Sequence, residues 1–150
     1  MNNIAIGSDH AGFLLKEVIK QFLVEECEMK VFDAGADLEA SVDYPDIGEV
    51  VATKVSRDEI AKGILVCGSG IGMSIVANKF KGVRAALCLD TESAELSRQH
   101  NDSNIIVLAG RKTPPAQALE IVRTWLKTDF AGGRHRQRVE KIDKIEQKNR

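Results

Sequence analysis

The apolar positions change their period repeatedly along this chain. Asn3-Ile-Ala-Ile-Gly7 is a short, continuous apolar run closed by glycine, the pattern of a parallel strand buried on both faces. From Gly12 to about Cys27, the residues Phe13, Leu14, Val18, Ile19, Phe22 and Leu23 recur at helical spacing. Lys16, Glu17, Lys20 and Gln21 are assigned to the opposite, wet face. Met29–Asp33 predicts a second strand, residues 34–43 a polar loop, and Pro45 the opening of a helix that runs to about Ser56. Gly63–Cys67 is a third strand that leads straight into Gly68-Ser-Gly70-Ile-Gly72 and a helix from Met73 to about Phe80. Val83–Leu89 and Asn104–Ala109 read as two more strands. Between them lies a short helix to about Gln99, capped by Asp90 or Thr91. Pro114-Pro115 starts a further helix, and Arg134–Arg150 carries an apolar stripe of Val139, Ile142 and Ile145.

Strands that alternate with helices imply a parallel sheet covered on both faces. Right-handed crossovers then favour an α/β, three-layer αβα, Rossmann-like doubly wound fold. The expected sheet has five parallel strands in the order 2-1-3-4-5, with an added C-terminal helix, all in a single domain over 1–150. In such a sheet ligands bind outside the carboxyl ends of the strands, where the strand order reverses. The turns after the first and third strands, Ser8-Asp9-His10 and Cys67–Gly72, should face each other across that crevice.

Composition narrows the function. Lys and Arg number 21 against 22 Asp and Glu, a formal charge of −1, which argues against a general nucleic-acid or membrane binder. Cys27, Cys67 and Cys88 show no CxxC spacing and cannot close a disulfide framework, so a reducing, cytoplasmic setting is expected. No apolar run approaches the ~18 residues of a membrane span, and Met1-Asn2-Asn3 shows no leader pattern.

The Gly-rich turn leaves backbone N–H groups bare at a helix start, a site for a phosphate or a developing oxyanion; otherwise its glycines serve only tight packing. It lacks the Lys of a P-loop. A dinucleotide fingerprint would need glycine at Met73, although Asp90 lies about 20 residues on, as that fingerprint requires. Cys67 ends a buried strand at the crevice, facing a helix start that favours a thiolate, so it can serve as nucleophile or base; the alternative is a small core residue. Asp9 either caps the following helix or enters the crevice, and His10 can bind an anion there. His100 is either a satisfied structural group or a group that moves a proton near neutral pH. Its helix runs back toward the amino ends of the strands, however, which puts it at the wrong edge to meet Cys67 in the same subunit. Either that helix is irregular or His100 serves a neighbour. Arg134 and Arg138, spaced i,i+4, suit a phosphate or form part of a solvated face.

Taken together, Ser8-Asp-His-Ala-Gly12, Cys67-Gly-Ser-Gly-Ile-Gly72, Ala77-Asn-Lys79, Ser97-Arg-Gln-His-Asn-Asp102 and Gly132-Gly-Arg-His-Arg-Gln-Arg-Val139 resemble the ribose-5-phosphate isomerase B family. The wider family includes allose-6-phosphate and galactose-6-phosphate isomerases. The resemblance implies aldose–ketose isomerisation of a sugar phosphate through an enediolate, without metal or cofactor. It implies Cys67 as the base, Ser69 as an assisting hydroxyl, and His100, with Asp9 nearby, as the group that opens the sugar ring. Gly68, Ser69, Gly70, Ile71 and Gly72, with Asn101, would hold the oxyanion. His10, Arg134 and Arg138 would hold the phosphate, with Arg111 a further binding residue. Position 69 is Ser where members with the Cys commonly have Thr, and Met73 stands where a second subclass carries a Glu base. The expected assembly is a homodimer or dimer of dimers with shared sites, and no nucleic-acid or membrane partner. The rival substrate is a six-carbon sugar phosphate; the rival class is a nucleotide-binding domain without catalysis.

Overall fold

The computed structural model describes residues 2–37 and 41–150, so part of the polar loop expected over 34–43 lies outside the described residues. Its strands are β1 (Asn3–Ser8), β2 (Lys30–Asp33), β3 (Gly63–Cys67), β4 (Ala85–Leu87) and β5 (Ile105–Ala109). Its helices are α1 (Phe13–Glu25), α2 (Tyr44–Ser56), α3 (Ile71–Ala77), α4 (Thr91–Gln99), α5 (Pro115–Lys127) and α6 (Arg134–Lys148). A single 3-10 turn, His10–Gly12, joins β1 to α1.

All strand pairings are parallel. Side chains alternate across the sheet, and that alternation builds two cores. Ile64 and Val66 of β3 pack with Ile4, Ile6, Ile106 and Leu108 under α1, α4 and α5. Leu65 and Cys67 pack with Ala5, Ile105 and Val107 under α2 and α3. Helices on both faces make this the expected doubly wound α/β fold.

One detail of the sheet differs from expectation. The order is β2-β1-β3-β5-β4, so the last two strands exchange places relative to 2-1-3-4-5. The reason is burial. Every residue of β5, Ile-Ile-Val-Leu-Ala, is buried, as a central strand requires. The three residues of β4 are only half-buried, which suits an edge. The switch point is unaffected, because β1 and β3 remain neighbours.

Lys16 also departs from expectation. It lies inside, fully buried, rather than on the wet face of α1. Its Nζ donates to both carboxylate oxygens of Asp33, at 2.9 and 3.0 Å, and to the carbonyl of Ala36 at 2.5 Å. Glu17 lies 3.3 Å away. Burial pushes the Asp33 carboxyl up, but hydrogen bonds from Lys20, Lys16 and the Gly35 N–H outweigh it and hold the group below the ordinary 3.8. Asp33 therefore stabilises the fold above that ordinary value, and the contribution is lost as pH falls through the lowered one. Asp33→Asn leaves a buried ammonium without its main partner. It should cost about 3 kcal/mol, the low end for a broken buried pair because Glu17 remains nearby. Urea unfolding at pH 7 measures this, and the deficit should shrink in acid.

Candidate functional site

Three adjacent strand ends converge at the carboxyl edge. The pairing of Ser8 with Val66 and of Cys67 with Ala109 sets the turns after β1, β3 and β5 side by side. Backbone bonds carry that register into the turns. The Asp9 N–H donates to the Val66 carbonyl at 3.2 Å, Gly110 N–H to Cys67 at 2.8 Å and Arg111 N–H to Gly68 at 3.1 Å. The expected pairing of Ser8-Asp9-His10 with the Gly-rich turn is thus what the structure places there, and Arg111 joins them.

Within this edge, Cys67 is buried at 5% exposure and belongs to the core under α2 and α3. The Ser69 hydroxyl accepts the Ile71 N–H at 3.2 Å. Gly70 adopts φ +79°, and a β-carbon there would stand 2.4 Å from Leu87 Cδ1. Only glycine meets both demands without strain. Gly70→Ala should cost about 1–2 kcal/mol through the left-handed backbone and the displaced Leu87. Thermal unfolding checks this. The Arg111 guanidinium lies against Gly68, where an added β-carbon would meet Nη1 at 3.1 Å.

Asp9 and His10 form the opposite wall. Asp9 Oδ1 accepts the Gly12 N–H at 2.9 Å, so Asp9 caps the 3-10 turn while nearly buried. His10 Nδ1 accepts the Val42 N–H at 3.3 Å, which fixes the ring. Tyr44, which the sequence reading left out, opens α2 against the Gly-rich turn. Its ring stands where a β-carbon on Gly72 would meet Cε1 at 2.5 Å. The Tyr-Pro pair at a helix start was the available signal.

The remaining residues gather elsewhere. α4 is a regular helix from Thr91 to Gln99, with Asp90 Oδ1 accepting the Ser93 N–H at 2.7 Å as its cap. That capping role uses the carboxylate that a dinucleotide ribose would need. α4 delivers His100 and Asn101 to the amino edge, just before β5. There they line a cleft of about 270 Å³ with Arg134, His135, Arg138, Val139 and Ile142. The candidate residues thus form two clusters at opposite sheet edges: Asp9, His10, Cys67–Gly72 and Arg111 at one, His100, Asn101, Arg134 and Arg138 at the other. The regularity of α4 removes the option that an irregular helix carries His100 to Cys67.

The other two cysteines stand apart from both clusters. Burial pushes the thiols of Cys27 and Cys88 up. Among the described residues, no group of three or more His, Cys, Asp or Glu is arranged to hold a metal ion. No helix among them is long and apolar enough to cross a membrane.

Known proteins match this chain over its length. The sequence model of the Ribose/Galactose Isomerase family matches residues 4–142. Ribose-5-phosphate isomerase B of Escherichia coli is 47% identical over 148 residues, covering 99% of each chain. The structure of Clostridium thermocellum ribose-5-phosphate isomerase B superposes with a TM-score of 0.96 at 49% identity, covering 99% of each chain. That of Mycoplasma genitalium ribose-5-phosphate isomerase B with bound ribulose-5-phosphate has a TM-score of 0.92 at 41% identity, covering 97% of this chain and 96% of that one. With a family match over most of its residues and relatives this similar, the chain belongs to the ribose/galactose isomerase family.

Proposed function

We propose that this protein interconverts ribose 5-phosphate and ribulose 5-phosphate through an enediolate, with Cys67 as the base. The observation that carries this reading is the Mycoplasma genitalium relative, 41% identical, whose structure holds ribulose-5-phosphate. In the proposed reaction His100 opens the furanose, with Asp9 assisting. The Cys67 thiolate then takes the proton from C2 and returns it to C1. Charge that develops on the sugar oxygens is met by the backbone N–H groups of Gly68–Gly72, with Ser69 and Asn101. Fixed donors of this kind are worth about 3–4 kcal/mol each when aimed at a developing oxyanion. His10, Arg134 and Arg138 hold the phosphate, whose binding energy orients the reacting carbons, and Arg111 is a further binding residue.

The separation of the two clusters supports a two-chain site. A homodimer, or a dimer of dimers, would complete each crevice with His100, Asn101, Arg134 and Arg138 from the neighbour. Ile71, Ile75, Leu89, Ile142 and Ile145, all large and exposed, offer apolar surface for such an assembly.

The test is a coupled assay with ribose 5-phosphate and allose 6-phosphate side by side. Turnover that favours ribose 5-phosphate supports the proposal. Turnover that favours the six-carbon sugar keeps the chemistry and changes the substrate. Turnover of neither returns the chain to a binding role. Arg138→Ala should raise KM about tenfold to a hundredfold, for a charged hydrogen bond worth roughly 1.5–3 kcal/mol, with a smaller change in kcat. An unchanged KM would place Arg138 outside the site.

A further inference from the structure

The His100 ring does not stand alone in its cleft. The His135 imidazole lies over it, with ring centroids 4.2 Å apart and planes 13° from parallel. The backbone builds this contact deliberately. Gly132 and Gly133 take φ +67° and +53°, a reversal open to glycine at no steric cost. The Ala131 N–H donates to the Gln99 carbonyl at 3.0 Å and pins that reversal to the end of α4. His135 then sits in the first turn of α6, its N–H bonded to Gly132 at 3.0 Å. The His100 N–H is likewise fixed, donating to Leu96 at 2.9 Å. The main chain at both rings is therefore held, and they meet face to face in the cleft that Arg134 and Arg138 also line.

We infer that His135 is a positioning residue for His100: it fixes the plane of the His100 ring for ring opening of the sugar phosphate. This rests on the ring-opening role proposed above for His100. A proton shuttle must keep its nitrogen aligned with the ring oxygen of the substrate. A side chain half open to solvent, as His100 is, otherwise spreads over rotamers. A parallel aromatic neighbour removes that freedom while leaving the ring nitrogens free to bond at the edge. Such stacking requires that the two rings are not both charged. The charged and titratable groups against His135 are His100, just past α4, and Arg134 and Arg138 on α6. Burial first, then these neighbours, push the His135 imidazole below its ordinary value, which favours the neutral ring in the stack.

The experiment compares His135→Ala, His135→Phe and His100→Asn on two substrates. One is ribose 5-phosphate. The other is 4-deoxyribose 5-phosphate, which lacks the hydroxyl that closes the furanose and so needs no ring opening. His135→Ala should lower kcat/KM for ribose 5-phosphate about tenfold and leave the open-chain analogue within about twofold. His135→Phe, which keeps a flat ring, should restore most of the loss. Equal losses on both substrates with His135→Ala, or a His135→Phe variant as impaired as His135→Ala, overturn the inference while His100→Asn stays selective for the cyclic substrate. If His100→Asn itself loses both substrates equally, the ring-opening reading of His100 falls and this inference falls with it.

Discussion

Cys67→Ala should lose roughly 10²–10⁴ in kcat, the usual contribution of a positioned general base, and still bind ribose 5-phosphate. The expectation follows from where β3 ends. Cys67 is the last residue of a strand buried throughout, held between β1 and β5 by parallel pairing, and followed by the Gly-rich turn. Its backbone is fixed by pairing with Ala109 and by the Gly110 N–H on its carbonyl, so truncation to Ala removes the sulfur and little else. The protein should remain folded, because the substitution leaves a small apolar side chain in an apolar cluster. Binding should persist, because the charged side chains proposed to hold the phosphate are untouched by the loss of the sulfur. Two measurements separate chemistry from folding. Calorimetric titration with ribose 5-phosphate should give a Kd close to that of the parent protein. Exchange of the C2 proton with solvent deuterium should fall in step with kcat. Persistent exchange in Cys67→Ala would assign proton abstraction to another group.

What the amino-acid pattern revealed, and what it hid, divides along physical lines. β3 was legible to the residue, Gly63–Cys67, because a fully buried strand between a glycine and a Gly-rich turn has few alternatives. The cap of α4 was legible as Asp90 or Thr91, because a cap needs only local N–H partners, and Asp90 fills it. The order of β4 and β5 was not, because it depends on which strand is more completely covered, a tertiary property. Lys16 reads as solvent-facing because lysine is almost never fully buried without a partner. Its partner, Asp33, lies 17 residues away on another element. His135 was hidden inside what reads as a basic segment, with seven Lys or Arg against three Asp or Glu over 134–150. Its significance comes from a contact with His100 that no spacing encodes. The division of the candidate residues between two edges was legible in outline, since a helix after a parallel strand must return to the amino edge.

That division leads to the second large effect. In an equal mixture after subunit exchange, Cys67→Ala and the double variant His100→Asn/Arg138→Ala should recover about a quarter of parent activity, although each alone is near background. The geometry within one chain excludes simpler repair. The two clusters lie at opposite ends of the sheet, separated along β3 by roughly 13 Å of strand, and the packed core fills the space between them. A five-carbon phosphate spans only about 8 Å from C1 to phosphorus at ordinary bond lengths. The substrate is therefore shorter than the strand that separates the two clusters, which favours a site shared between chains over one built within a single chain. In the proposed twofold dimer each crevice would take Cys67 from one chain and His100 with Arg138 from the other. A mixed dimer then holds one site with every defect and one with none. Random exchange makes about half of the dimers mixed, and half of their sites are intact, which gives the expected quarter. Sites built within single chains would give no recovery, because every chain in the mixture carries a defect of its own. Native mass spectrometry of the mixture, in which the two variants differ in mass, confirms that exchange has occurred, so a null result would count against shared sites rather than against mixing.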